Sequence, residues 1–226
     1  MKFENQAEIG YGIYTLPDLA RILNLEYHKV QRLLNEYWDK RFADDFGSKY
    51  SWSVGKSSAV SFHTLIEFYI FYQFKGAGIS TQKILKAHRE LALIKDTPFP
   101  FANSKILERI HCIGKKIVFE IREDDIIDLD STKQLNLKFI KDFIKKLDFD
   151  KNNIAKRLYP LGKKNSVIVD PKNQFGQPTI LGTNLFPETI YHLYKNKETK
   201  KFISASYGIS TKQVADAIEY CEKQAA

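Results

Sequence analysis

The sequence predicts an α+β protein, mainly helical with small β elements, on three observations. Apolar residues recur at helical spacing in separate runs, among them 14–38, 62–74, 81–93 and 187–223. Two shorter stretches, 49–62 and 117–121, alternate apolar or aromatic residues with polar ones, as half-buried strands do. Proline and glycine turns punctuate the chain, notably Asp170-Pro171 and Phe175-Gly176-Gln177-Pro178. The elements group into three segments: 1–97, 98–165 and 166–226.

Composition narrows the function classes. With 43% apolar and 27% charged residues, a wholly disordered chain, a collagen-like repeat and a disulfide scaffold are excluded. Cys112 and Cys221 share no short spacing motif, so neither a thiolate metal site nor a redox pair is indicated, and a reducing cytoplasm is expected. The opening MKFENQAEIGYG has no basic head followed by an apolar run, so no secretory signal is expected. The stretch Phe62 to Phe74 contains His63, Glu67 and Gln73, and is too short and polar to cross a bilayer.

The net charge of +8 is compatible with a nucleic-acid partner. It is uneven: +2 over 1–97, +5 over 98–165 and +1 over 166–226. Lys151, Lys156, Arg157, Lys163 and Lys164 occur with no acid between 151 and 169. That run reads as a solvated connector or as a phosphate-binding strip.

In the first segment, YTLPDLARILNLEYHKVQRLLNEYW (14–38) begins with Thr15 as a helix cap and Pro17 in the first turn. Leu16, Leu19, Ala20 and Leu23 recur at helical spacing, and small Ala20 permits a close helix crossing. Asn24 suits a left-handed turn. A second helix follows with Val30, Leu33, Leu34 and Tyr37 on one face. This is helix-turn-helix spacing. Its outer face would present Tyr27, His28, Lys29, Gln31 and Arg32 to phosphates or base edges. The pattern alone leaves open a helical hairpin that only packs. Next, KYSWSVGKSSAVSF (49–62) reads as a two-stranded wing with Gly55 at its tip. Lys49, Trp52, Lys56 and Ser57 would flank a duplex backbone from there. A helix from Phe62 to Phe74, a GAGIS turn and a helix from Thr81 to Leu93 complete the segment.

This order resembles the MerR-like winged helix family. The resemblance is carried by Tyr14-Thr15, Leu19-Ala20, Leu23, Leu25, the Val60–Phe62 strand entering a helix, and Gly78-Ile79-Ser80 before Ile84. It implies a DNA-binding unit. Two departures stand out. Gln31-Arg32 replaces that family's arginine–tyrosine pair, and Pro98 and Pro100 end the chain's helical run where MerR regulators carry a long dimerisation helix. Sensor cysteines are missing too, which argues against a metal- or thiol-responsive activator.

The middle segment predicts a small α+β module: a strand with Ile117, Phe119 and Ile121, then a helix from about Thr132 to Leu147 with a wide apolar face. IAKRLYPLG and SVIVD read as extended. The acids Glu120, Glu123, Asp124, Asp125, Asp128 and Asp130 are consecutive in a turn and short strand. A two-metal site needs carboxylates converging from separate elements, so a solvated turn is the better reading. The histidines show no ligand pair at i, i+4, and no phosphate-cradling glycine loop occurs. No catalytic residue, metal site or cofactor is predicted, and the chain is expected not to be an enzyme.

In the last segment, Pro187 opens a helix to about Lys195, and a second runs from about Thr199 to Tyr207, closed by Gly208. Ser210 caps a third, Thr211 to about Lys223. Phe202, Ile203, Ala205, Ile209, Val214, Ala217 and Ile218 are expected to form its core, with Thr211, Lys212, Gln213 and Asp216 facing outward. The segment resembles a short antitoxin domain, long called a family of unknown function, found in VapB-like antitoxins of bacterial toxin–antitoxin pairs. The carrying residues are Val169-Asp170-Pro171, Phe175-Gly176-Gln177-Pro178, Gly182-Thr183, Pro187, Ile190, Tyr194, and Tyr207-Gly208-Ile209-Ser210 before Val214. Together with the MerR-like unit and Pro100-Phe101-Ala102, the chain is similar to one antitoxin architecture throughout.

That resemblance implies a DNA-binding antitoxin that neutralises a PIN-type ribonuclease toxin and represses its own operon. A homodimer or higher homo-oligomer would suit a palindromic operator. Thr211, Lys212 and Gln213 then join the DNA-contacting candidates. Lys151, Lys156, Arg157, Lys163 and Lys164 become the candidate toxin contacts, complementing a carboxylate-lined nuclease pocket. Two other readings stay open. One is a stand-alone MerR-like regulator with no toxin, and the other an interaction protein whose helix pairs make only protein contacts.

Overall fold

A computed structural model describes residues 10–55, 57–112, 117–122, 125–128 and 142–225, with the main chain alone over 111–128. The architecture is α+β, built from helices and small antiparallel sheets. Strand β1 (Tyr14–Thr15) leads into α1 (Leu16–Leu23) through a capping box. Thr15 Oγ1 accepts from Asp18 N, and Thr15 N donates to Asp18 Oδ2 at 3.0 Å. Asn24 ends α1 at φ 51°, a left-handed position that asparagine tolerates. The turn 24–26 then delivers α2 (Tyr27–Leu33).

Helix α2 does not stop near Trp38. It widens into a π-helical stretch, Leu34–Phe42, and continues as α3 (Ala43–Phe46) until Gly47 turns left-handed at φ 67°. The register change keeps Leu34, Trp38 and Phe42 all facing the core. The hairpin β2 (Ser51–Val54) and β3 (Ser57–Val60) follows, and β3 also pairs with β1, giving the order β1-β3-β2. Asp39 fastens this sheet to the helix. Its Oδ1 accepts from Tyr50 N at 2.8 Å and Ser51 N at 3.1 Å, and its Oδ2 accepts from Ser51 Oγ.

Helices α4 (Phe62–Gly76) and α5 (Thr81–Ile94) cover the other side, each capped by a serine, Ser61 and Ser80. Trp38 is fully buried, with the rings of Phe42, Phe68, Phe71 and His88 all within 6 Å of its own. One continuous apolar core draws in residues from both sides of position 97: Trp38 and Phe68, but also Phe101, Ile106, Phe143, Leu158 and Val169. At its centre lies a carboxyl–imidazole pair, neither member exposed: Glu67 Oε2 of α4 is 2.8 Å from His88 Nε2 of α5. Glu67 Oε1 accepts from Phe101 N at 2.8 Å and Ala102 N at 3.1 Å, in the 3-10 turn Pro100–Ala102. Three elements thus meet on one carboxyl.

Burial pushes the Glu67 carboxyl above its ordinary value, against the opposing pull of His88 and the two backbone N–H groups. A native carboxyl that keeps its proton to higher pH than the unfolded one binds more protons than the unfolded chain does. It therefore stabilises the fold fully below the unfolded value of 4.5, and the contribution is lost as pH rises through the native value. Between 4.5 and the native value the urea midpoint should fall more steeply with pH in the wild type than in Glu67→Gln, which has no proton to release. Parallel curves for the two chains would refute this.

In the middle, α6 (Ser104–Leu107) precedes a three-stranded sheet, β4 (Ile110–Cys112), β5 (Ile117–Arg122) and β6 (Asp125–Asp128). The expected strand through Ile117, Phe119 and Ile121 is β5. The acids Glu123, Asp124 and Asp130, the side chains of Glu120, Asp125 and Asp128, and most of the expected Thr132–Leu147 helix lie outside the described residues. Residues 142–144 are helical, but Leu147 is not. It opens β7 (Leu147–Phe149), paired antiparallel with β8 (Ala155–Leu158). The Leu147 side chain is buried, so the last apolar position of the expected helix serves a strand.

The last segment starts with β9 (Val167–Ile168) paired to β10 (Thr179–Ile180) across the Pro/Gly turn. Helices α7 (Pro187–Lys195), α8 (Lys200–Tyr207) and α9 (Thr211–Ala225) follow. Ile180, Ile190, Ile203, Ile209, Val214, Ala217 and Ile218 make their core. Phe202 and Ala205 do not belong to it: Phe202 is 54% exposed, and Ala205 is exposed as well. In so short a helix one buried position, Ile203, suffices to close the interior.

The turn at 173–178 locks this segment onto the first one. Ile13 N donates to Phe175 O at 2.9 Å. The fully buried Tyr14 ring fills the space that side chains would take at Gly12 and Gly176, both at positive φ. Arg21 at the end of α1 donates to Gln177 Oε1 at 2.6 Å and pairs with Glu188 at the start of α7.

Candidate nucleic-acid interface

Helix α2 turns Val30 and Leu33 into the core. That leaves Tyr27, His28, Lys29, Gln31 and Arg32 on the outside, all five exposed. The cations there have local partners. Lys29 Nζ is 2.6 Å from Glu26 Oε1, His28 Nε2 is 3.3 Å from Glu26 Oε2, and Arg32 Nε is 2.9 Å from Glu36 Oε2. Lys29 holds the Glu26 carboxyl below its usual range. Exposed pairs of this kind contribute little and exchange readily for another anion.

The hairpin is fixed through Asp39 to the π-helical stretch that continues α2. Lys49 and Ser57 are exposed. Trp52 is only half-buried, yet its indole N–H is shielded from solvent and meets no acceptor. From there it offers no donor to a backbone. Lys56 lies outside the described residues.

At the start of α9 the expected outward row is only partly outward. Thr211 is exposed. Lys212 Nζ is 2.6 Å from both Asp216 Oδ2 and the Lys164 carbonyl. Gln213 is spent on structure. Its Oε1 accepts from Ser210 N and Oγ at 2.9 and 3.1 Å, and its Nε2 donates to the Leu181 carbonyl at 3.1 Å. Ser210 Oγ in turn accepts from Gln213 N, completing a capping box. Asp216 is buried rather than outward, accepting from Ser166 N at 2.8 Å.

The basic connector is also less available than its spacing suggests. Arg157 donates through Nε and Nη2 to Asp170 Oδ2 at 3.0 and 2.7 Å, and Lys163 Nζ lies 2.6 Å from Asp148 Oδ1. Burial raises the Asp148 carboxyl, but Lys163, Tyr159 and Arg157 together hold it below its usual range. Asp148 and Asp170 sit just outside the acid-free window 151–169, and the β7–β8 and β8–Val169 pairings fold them back onto it. Lys151, Lys156 and Lys164 stay exposed.

One surface escaped the sequence reading. Between α7 and α8, Lys195, Lys197, Lys200 and Lys201 are all exposed and pair with no carboxylate among the described residues. Lys195 Nζ sits 5.6 Å over the Tyr191 ring and Lys200 Nζ 5.7 Å over the Tyr194 ring. Phe202 projects from the same helical turn as Lys200 and Lys201. Four lysines in seven residues was the available signal. Assigning Phe202 to the core hid it.

Burial pushes the Cys221 thiol up to about 12, so it stays protonated and unreactive at neutral pH. Among the described residues no three His, Cys, Asp or Glu side chains gather where they would hold a metal ion, and no helix is long and apolar enough to cross a membrane.

The fold is that of an α+β chain whose last quarter forms its own helical unit. Residues 167–221 match the model of a protein family of unknown function, DUF433. Over 57 residues the chain is also similar to the uncharacterized protein Rv2308 of Mycobacterium tuberculosis (strain ATCC 25618 / H37Rv), with 37% identity. That match spans 25% of this chain and only 24% of the Mycobacterium protein. Across 96% of its length the chain has the fold seen in the X-ray crystal structure of Rv2018 from Mycobacterium tuberculosis, covering 99% of that chain with a TM-score of 0.65 at 15% identity.

Proposed function

We propose that the chain is a DNA-binding antitoxin: a non-enzymatic repressor that holds operator DNA and covers the active site of a PIN-type ribonuclease toxin. In this reading α1, the 24–26 turn and α2 act as a MerR-like helix-turn-helix, with the β2–β3 hairpin as its wing. The observation that carries the DNA half is the outer face of α2. Five exposed donor-bearing side chains, Tyr27, His28, Lys29, Gln31 and Arg32, stand over a buried Val30–Leu33 ridge. An α-helix with that face outward fits a major groove. The toxin half is supported by the resemblance of the Asp170-Pro171 and Phe175–Pro178 turns and the three helices after them to VapB-like antitoxin domains. With Arg157 and Lys163 paired internally, Lys151, Lys156 and Lys164 are the toxin-facing candidates. A cytoplasmic homodimer on a palindromic operator completes the reading.

A mobility shift on the chain's own promoter at two salt concentrations tests the DNA half. Replacing Lys29 and Arg32 by alanine should weaken binding and reduce the slope of log affinity against log salt by about 2, near 0.9 for each lost phosphate contact. An unchanged affinity and slope would remove α2 from the interface. Co-expression with the product of the adjacent small gene tests the toxin half. Failure of the two to co-purify, or a neighbour harmless when expressed alone, would remove it.

A further inference from the structure

We propose that the corner between α7 and α8 is a binding surface for single-stranded nucleic acid, with phosphates on Lys195, Lys197, Lys200 and Lys201 and a base stacked on Phe202. The surface is separate from the α2 face and does not depend on that reading.

Charge is the first ground. Several surface cations elsewhere find carboxylates, among them Lys29 with Glu26, Arg32 with Glu36, Arg89 with Asp45, Lys163 with Asp148, Lys212 with Asp216 and Lys223 with Glu219, while the connector lysines Lys151, Lys156 and Lys164 stand exposed but far apart in sequence from any exposed ring of the kind found here. The four lysines at this corner pair with none among the described residues, and Glu198 is the single acid between 195 and 207. A run of cations left without counter-charge is complementary to a polyanion.

The aromatic rings are the second ground. Phe202 is 54% exposed, Tyr194 and Tyr207 each 37%. The core beneath is closed by Ile190 and Ile203, so the fold does not need the Phe202 ring. Lysines interleaved with exposed rings form the platform on which unpaired bases stack while their phosphates are held. Stacked pairs inside a duplex offer no such face to a phenyl ring. The unpaired state is thus the one that both ring and cations recognise.

The test is fluorescence anisotropy of the full chain with a labelled mixed-sequence 15-nucleotide single strand, and with the same sequence as a duplex. Lys200→Ala/Lys201→Ala should lower the salt slope for the single strand by about 1.4, near 0.7 for each phosphate released. Phe202→Ala should weaken the single strand by about 5-fold or more and leave the duplex unchanged. The Lys29→Ala/Arg32→Ala chain should bind the single strand as the wild type does, which separates this surface from α2. Circular dichroism of each variant guards against loss of fold; since Phe202 is exposed, none is expected. Two results would overturn the proposal: no measurable single-strand binding by the wild type, or single-strand binding that all the corner variants retain at wild-type affinity and slope.

Discussion

Replacing Glu67 by alanine should destabilise the chain by about 3–5 kcal/mol, since each buried polar group left without its partner costs about 1–3 kcal/mol. Two losses coincide. His88, fully buried among the rings of Trp38, Phe42 and Phe101, is left without its counter-group. The N–H groups of Phe101 and Ala102 lose their acceptor inside the protein. Glu67→Gln keeps an acceptor for both N–H groups and should cost clearly less. Urea unfolding followed by tryptophan fluorescence reads both variants, since Trp38 lies 5.2 Å from the His88 ring. Equal midpoints for Glu67→Ala and the wild type would show that the pair contributes nothing.

The second large effect is expected at Gly176. A Cβ there would collide with the hydroxyl end of Tyr14, and the residue sits at φ +89°, which side chains rarely adopt. Backbone strain of about 1–3 kcal/mol adds to overpacking of about 1–3 kcal/mol, so Gly176→Ala should lose roughly 2–6 kcal/mol. The Tyr14 hydroxyl is buried and meets no hydrogen-bond partner. Tyr14→Phe alone should therefore be close to neutral, because no bond is lost and no polar atom remains to be desolvated. In the double variant the phenyl ring clears part of the collision, so the two changes should be non-additive by about 1 kcal/mol in the favourable direction. Strict additivity would mean that the backbone angle alone makes alanine unacceptable.

What was legible in the sequence was local. Thr15 and Pro17, Asn24, the Gly55 hairpin tip, Pro187, Gly208 and Ser210 each act on their own few residues. The structure uses each where its chemistry suggested. Contacts between distant residues were not legible. Nothing near Arg21 announces that its guanidinium reaches Gln177 and Glu188, and nothing near Glu67 names His88 as its partner. The same limit explains the errors. Helical spacing cannot distinguish a core residue from an exposed ring, and Phe202 is the exposed one. Nor can an acid-free window show that Asp148 and Asp170 fold back over it to claim Lys163 and Arg157. For the interface, the exposed face of α2 was readable from periodicity. The diversion of Gln213 into a cap was not, since a capping glutamine and a contacting one have the same spacing.

The meeting of Tyr14 with Gly12 and Gly176 has a mechanical consequence. The residues that match the unknown-function family begin at 167, while the ring that fills their turn belongs to the opposite end of the polypeptide. To swing one end against the other, a phenol must leave a slot that admits no larger neighbour. The junction between the two ends is therefore set by an aromatic wedge, and not by a flexible tether.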